Sequence, residues 1–322
     1  MKYIAGIDLG GTNIKTVIVN TDFKVVVSKS VPTPFQRPKE ETFSVINHHV
    51  ENLLQEGSIE RKDLLGIGFG IPGLTDSRTN VAYNIPFLGW TNTNMAEPIR
   101  QYFGVPVFAE NDGNVNALGE MHFGAGRGFE DILLITLGTG LGCGIITGGK
   151  LLHGASRVAA EAGHMVIEAG GDQCVCGKRG CFESCCSGTA LTRYARRFAI
   201  EFSETSLMKE TNGNLFAITG EMIQRGYDDG DLVCRKVIEV FSEKLSVGLV
   251  NLIDLFNPGI VIISGGVARL GDRVLTPTRR LVEASLMHPV QKCDIVQGQL
   301  DSNAGVMGAC SLVAEGLNIP IK

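Results

Sequence analysis

The chain has 322 residues, enough for one large domain or two of ordinary size, and its 44% hydrophobic and 20% charged residues can build a substantial core. A formal net charge of −5 argues against a general nucleic-acid-binding surface, which needs a basic face. No apolar run approaches the length of a membrane span, and Met1-Lys2-Tyr3-Ile4 runs straight into a strand without a signal peptide, so the expected setting is the cytoplasm with no membrane partner. In that reducing compartment the nine cysteines, five of them between Cys174 and Cys186, read as metal ligands and core residues rather than as disulfides.

The first 31 residues read as three strands: Tyr3–Leu9, Ile14–Asn20 and Lys24–Val31. A helix is expected over Pro38–Gln55, buried strands over Leu64–Gly70 and Pro106–Ala109, and a helix over Gly113–Phe123. A second set of strands starts at Asp131, with Ile132–Leu137 and Gly142–Thr147. Helices follow at Gly188–Phe202, Leu215–Arg225 and Asp231–Phe256, then a strand at Ile260–Ile263 and a last helix at Ala304–Glu315. This alternation is an α/β pattern. Ile7-Asp8-Leu9-Gly10-Gly11-Thr12 is echoed by Ile135-Thr136-Leu137-Gly138-Thr139-Gly140, each a strand running into a glycine-threonine turn. The echo predicts two related lobes facing each other across a cleft.

A glycine turn beside a threonine lets backbone N–H groups and a hydroxyl approach phosphate oxygens, although either turn alone is equally an unliganded hairpin. Neither is a Walker A sequence. Asp8 ends an apolar strand, where a carboxylate serves either Mg²⁺, held through water, or the amides of the following glycines. Asp112 follows Asn111 at a strand-to-helix junction. It reads either as a general base that takes a hydroxyl proton during phosphoryl transfer or as a helix N-cap.

The sharpest local signal is His164 followed by Cys174, Cys176 and Cys181 in Cys-x-Cys-x4-Cys spacing with internal glycines. Three thiolates and an imidazole suit a closed tetrahedral zinc site, structural because no position is left for water. Cys185 and Cys186 lie close enough in sequence to compete as ligands. Cys143, Cys234, Cys293 and Cys310 stand in apolar contexts and read as core, and His48, His49, His122, His153 and His288 as surface or packing residues.

Asp8-Leu-Gly-Gly-Thr12 and Leu137-Gly-Thr-Gly-Leu-Gly142 resemble the two phosphate motifs of the actin, heat-shock chaperone and sugar-kinase superfamily, and Ser264-Gly265-Gly266 its adenosine-side loop. Within it, the chain is similar over nearly its full length to the ROK family of repressors and sugar kinases, and most like its bacterial glucokinases. The resemblance implies two ribonuclease-H-like lobes, residues 1–110 and 111–300, with a final helix within about 301–322 returning to the first. It implies ATP with Mg²⁺ at Asp8, Gly10, Gly11, Thr12, Lys15, Gly138, Thr139, Gly140, Gly265 and Gly266. Sugar contacts fall to Gly73, Asn84, Asn111, Asp112, Glu161, His164 and Glu183, with Asp112 catalytic and zinc on His164, Cys174, Cys176 and Cys181. The implied reaction is phosphorylation of a hexose 6-hydroxyl, with glucose favoured and mannose, fructose, N-acetylglucosamine or N-acetylmannosamine as alternatives. A homo-oligomer, dimer or tetramer, is implied as well. The competing reading is a sugar-sensing ROK regulator, for which the position of Asp8 leaves no room for a preceding helix-turn-helix. A chaperone or filament ATPase gives no reason for the zinc loop.

Overall fold

The structure, a computed structural model, describes residues 1–35 and 37–321. Its contacts separate two compact units. The first comprises Met1–Glu130, Gly144–Ala160 and Gln299–Lys322, and the second Asp131–Cys143 and Glu161–Gly298.

The first unit opens with β1 (Tyr3–Leu9), β2 (Asn13–Asn20) and β3 (Val25–Pro32), joined as an antiparallel meander that sets Asp8 opposite Lys15. Helix α1 (Lys39–Glu56) turns Phe43, Ile46, Val50, Leu53 and Leu54 into the core at helical spacing. Strand β4 (Leu64–Ile71) lies parallel to β1. A small antiparallel sheet of β5 (Leu74–Asp76), β6 (Val81–Ile85) and β7 (Trp90–Asn94) follows, then α2 (Glu97–Phe103). Strand β8 (Val107–Asn111) runs parallel to β4 and passes directly into α3 (Asp112–Phe123).

In the rest of the chain come β9 (Ile132–Leu137), β10 (Leu141–Thr147), β11 (Lys150–Leu151), α4 (Phe182–Cys186), α5 (Gly188–Glu201), α6 (Ser206–Glu210) and α7 (Gly220–Asp228). They are followed by α8 (Leu232–Phe256), β12 (Ile260–Ser264), α9 (Asp272–Ser285), β13 (Asp294–Gln297) and α10 (Ala304–Leu317). The two large sheets have strand orders β3-β2-β1-β4-β8 and β11-β10-β9-β12-β13. Each places its strands in the sequence third, second, first, fourth, fifth, so the turn motif echoed in the sequence sits at the same point of both sheets.

The pattern Leu-Leu-Gly-Ile-Gly-Phe-Gly-Ile of β4 explains how α10 docks. Period-two alternation sends Ile67, Phe69 and Ile71 to one face and glycines to the other. A Cβ at Gly68 would lie 1.8 Å from the Ala309 carbonyl oxygen, and one at Gly308 would lie 1.6 Å from that of Val115. Helix α10 therefore rests backbone to backbone on β4 and α3.

Two expectations shift. The helix expected from Leu215 begins at Gly220, because the Thr219 side chain accepts the Met222 N–H as an N-cap, while Leu215–Ala217 is a separate single turn capped by Asn214. The boundary expected at 110 falls at Asp131, because α3 packs against α10 and so groups with the first unit. Among the described residues no helix is long and apolar enough to cross a membrane.

Candidate active site

In the first unit the β1–β2 turn carries Gly10, Gly11 and Thr12. The Gly10 N–H closes the turn on the Asn13 carbonyl (3.0 Å). Burial raises the Asp8 carboxyl to about 6, only partly opposed by the Lys15 charge. The first turn of α10 lies against this carboxylate, since a Cβ at Gly305 would meet its Oδ2 at 2.7 Å. Lys15 donates to the Ser302 carbonyl (2.8 Å) and hydroxyl (2.9 Å), and burial lowers its pKa. A buried, reluctantly ionised carboxylate beside a glycine turn is a fitting anchor for a hydrated divalent cation, whose charge would restore the ionised form.

The junction of β8 and α3 holds Asn111 and Asp112. Asn111, not Asp112, is the N-cap: its Oδ1 accepts the Asn114 N–H at 3.2 Å. With Oδ1 so engaged, Nδ2 of Asn111 donates to the Gly73 carbonyl (3.1 Å) and to Oδ1 of Asp112 (3.0 Å). The Gly113 N–H reaches the same Asp112 oxygen at 2.9 Å. Gly73, Asn111 and Asp112 are thus one network, and the exposed Asn84 pairs in the small sheet with Leu74, next to Gly73.

Two residues of this network went unrecognised in the sequence. Glu110, 1% exposed, accepts from the Asn111 N–H (2.9 Å), Asn114 Nδ2 (3.0 Å) and His153 Nε2 (2.7 Å). The only sequence signal was a glutamate inside an apolar strand. His153, expected to be a surface or packing residue, has this buried carboxylate as its partner.

In the second unit the β9–β10 turn carries Gly138, Thr139 and Gly140, with the Gly138 carbonyl accepting the Gly188 N–H at 2.7 Å. Gly138, Thr139 and Gly266 line one cavity of about 530 Å³. Glu221, Gln224 and Arg269, which no motif had flagged, line its other side. The second glycine-threonine turn and the Gly265-Gly266 loop therefore share a pocket of nucleotide size.

His164, Cys174, Cys176 and Cys181 come together with all four ligand atoms within 4.8 Å of one another. Cys174 Sγ lies 3.6 Å from His164 Nδ1, and Cys176 Sγ lies 3.6 Å from Cys181 Sγ. Tetrahedral zinc, with Zn–S of about 2.3 Å and Zn–N of about 2.0–2.1 Å, has edges of about 3.6 Å for S···N and about 3.8 Å for S···S. The cluster fits that ion. The Cys174–Lys178 turn, the Val166↔Cys181 bridge and the buried Phe182 hold the loop. Cys185 and Cys186 stand outside the cluster, with the Cys185 thiol directed to Glu168. Of the four cysteines expected in the core, Cys143, Cys234 and Cys310 are buried, but Cys293 is only half-buried.

Glu161, His164 and Glu183 gather beside the cluster. Burial raises the Glu161 carboxyl; His164 opposes this and the Glu183 charge adds to it. Glu183 accepts the Leu141 N–H at 3.0 Å and approaches the Cys174 thiol at 3.9 Å, linking the cysteine loop to the second glycine-threonine turn.

Matching sheets with a glycine-threonine turn after the first strand of each define the actin-like ATPase fold. The family model described as ROK family matches residues 4–316. A glucokinase from Halalkalibacterium halodurans is 33% identical over 98% of this chain and 96% of its own. A xylose repressor from Caldicellulosiruptor bescii is 30% identical over 96% of this chain and 77% of its own length. A crystal structure of a Streptomyces griseus ROK family glucokinase in complex with glucose and AMPPNP superposes with a TM-score of 0.85 at 33% identity, covering 98% of this chain and all 100% of that one. The chain belongs to the ROK family.

Proposed function

We propose that the protein is an ATP-dependent sugar kinase that phosphorylates the 6-hydroxyl of glucose, with Asp112 as the general base. The observation that carries the assignment is the Asn111–Asp112 junction. One carboxylate oxygen is pinned by a main-chain and a side-chain donor at the start of a helix, in a chain that also holds two phosphate turns. Glucokinase relatives spanning nearly all of the chain supply the substrate.

Asp112 accepts the proton of the attacking hydroxyl as its oxygen bonds to the γ-phosphorus. The bond from that phosphorus to the bridging oxygen breaks, and ADP leaves. Asn111 fixes the carboxylate through Nδ2 and offers the second lone pair of its Oδ1 to the sugar, with Gly73 and Asn84 beside it, while Glu161, His164 and Glu183 take further hydroxyls. The Gly10–Thr12 and Gly138–Gly140 turns and Lys15 hold phosphates, and Gly265 and Gly266 border the nucleoside. Asp8 would hold Mg²⁺, which when bound would supply positive charge against the phosphates. His164 and the three cysteines would hold zinc as a structural ion, and with Nδ1 facing the thiols Nε2 of His164 would be left as an N–H donor.

The reading extends to a cytoplasmic homo-oligomer in sugar catabolism, measurable by light scattering on the purified chain. A coupled ATP assay over glucose, mannose, fructose, N-acetylglucosamine and N-acetylmannosamine tests the function, with the highest kcat/KM expected for glucose. The xylose-repressor relative motivates a parallel gel-shift assay with operator-like DNA. Absence of turnover on every sugar, together with sugar-dependent DNA retardation, overturns the kinase reading.

A further inference from the structure

The buried carboxylate of Glu110 has no part in the reaction as derived above, yet it is bonded from three directions. An ionised carboxylate only accepts hydrogen bonds, so the 2.7 Å contact requires the proton of His153 to sit on Nε2. Burial pushes the Glu110 pKa up, but bonds from His153, Asn114 and the Asn111 amide outweigh it and hold the group below the ordinary glutamate value. A buried anion with that many donors is a fixed point, costly to move.

What it fixes is the next residue. Oε1 of Glu110 takes the Asn111 main-chain N–H and the Asn114 side-chain amide. The Asn114 main-chain N–H in turn holds Oδ1 of Asn111, which sends Nδ2 of Asn111 to Oδ1 of Asp112. The path from His153 to the Asp112 carboxylate is therefore continuous: imidazole, Glu110, Asn111, Asp112. The imidazole is itself on a closed loop, in which the Ala159 N–H bonds to the His153 carbonyl (3.1 Å) and Arg157 donates to Ser77 (2.7 Å).

We infer that Glu110 and His153 are positioning residues, a hydrogen-bonded pair that sets the orientation of the Asn111 amide and through it the Asp112 carboxylate. The inference rests on the reading of Asp112 as the base. Neither residue is among those assigned above to nucleotide or metal, so the loss of the pair is expected to act on kcat, with a smaller change in glucose KM through Asn111 and none in ATP KM. Displacing a reacting group by about 1 Å costs on the order of 10²-fold in rate.

The test compares His153→Leu, which has no donor, with His153→Gln, whose amide N–H still reaches Glu110. His153→Leu is expected to lose about 10–10²-fold in kcat with ATP KM unchanged, and His153→Gln to recover most of it. His153 is only 19% exposed, so melting temperature is recorded alongside, and the comparison is read between variants of equal stability. His153→Leu in an Asp112→Asn background should add nothing to the loss, because both changes act on one carboxylate. Equal kcat for wild type and His153→Leu overturns the inference while Asp112→Asn still decides the base separately. Multiplicative losses in the double variant overturn it too, and Glu110→Gln supplies the same comparison should either His153 variant fail to fold.

Discussion

Replacing Asp112 by Asn separates chemistry from architecture, and the structure sets both magnitudes. Two donors, the Gly113 N–H at 2.9 Å and Asn111 Nδ2 at 3.0 Å, converge on one Asp112 oxygen. In Asp112→Asn the amide oxygen takes that position, and the NH₂ group falls where the second carboxylate oxygen stood. The variant then presents a donor to the sugar hydroxyl, and proton transfer has no acceptor. General-base loss of about 10²–10⁴-fold is expected, or about 2.7–5.5 kcal/mol of barrier. The stability cost, about 2.3–3 kcal/mol in all, reaches only the lower end of that range. Two charge-assisted bonds become neutral ones at about 1 kcal/mol each, and a negative charge leaves a helix N-terminus, worth about 0.3–1 kcal/mol. At about 2–4 °C per kcal/mol for domains of 150–250 residues, melting should fall by less than about 12 °C. The assays are coupled turnover, glucose titration by calorimetry and a thermal melt on one preparation. Near-wild-type turnover would falsify the base assignment, and loss of folding in step with loss of activity would show a purely structural aspartate.

Asp8→Ala should raise the Mg²⁺ requirement and lower turnover with glucose affinity little changed; lost glucose binding at unaltered metal dependence refutes the assignment. The Asp8 carboxyl, raised from 3.8 to about 6, binds its proton more tightly when folded, so the stability it contributes is full below pH ~3.8 and lost as pH rises through ~6. Asp8→Asn should therefore stabilise the metal-free protein at pH 7.5 by up to about 3 kcal/mol, two pKa units at 1.36 kcal/mol each, and flatten stability between pH 4 and 6; an unchanged denaturation profile contradicts this. Elemental analysis should find one zinc per chain, and Cys176→Ser should lower melting and weaken glucose more than nucleotide; no stoichiometric zinc, or the opposite order, rules it out. Gly308→Ala should cost about 1–3 kcal/mol or more, because the new methyl meets the Val115 carbonyl; a melt within 1 °C of wild type would contradict that packing.

The sequence was most informative where period and punctuation agree. The hairpin from Tyr3 to Asn20 and the long helix to Phe256 are bounded within a residue, since apolar period and glycine or asparagine stops coincide there. The gathering of His164, Cys174, Cys176 and Cys181 was legible because thiols spaced by glycines in a polar loop have little other use. The small sheet from Leu74 to Asn94 was not read as strands: its polar runs of Thr and Asn carry no two-sided apolar alternation. The helix Asp272–Ser285 was missed as well, with Pro277 inside it arguing against a helix. Glu110 and His153 were unreadable as a pair because 43 residues separate them and only the fold joins them. Glu221, Gln224 and Arg269 likewise reach the nucleotide-sized cavity from elements that share no motif.

Helix α10 has a consequence for the order in which the molecule is made. Its backbone fills the glycine face of β4 and lies against both α3 and the Asp8 carboxylate, yet it is translated roughly 180 residues after α3. On the ribosome, at about 5–20 residues per second, the first unit waits some tens of seconds with that groove open to water. The strands begun first are thus completed last, while everything needed for the second sheet, through β13, has already emerged. An exposed glycine-lined sheet face during that interval is a natural point of contact for a chaperone.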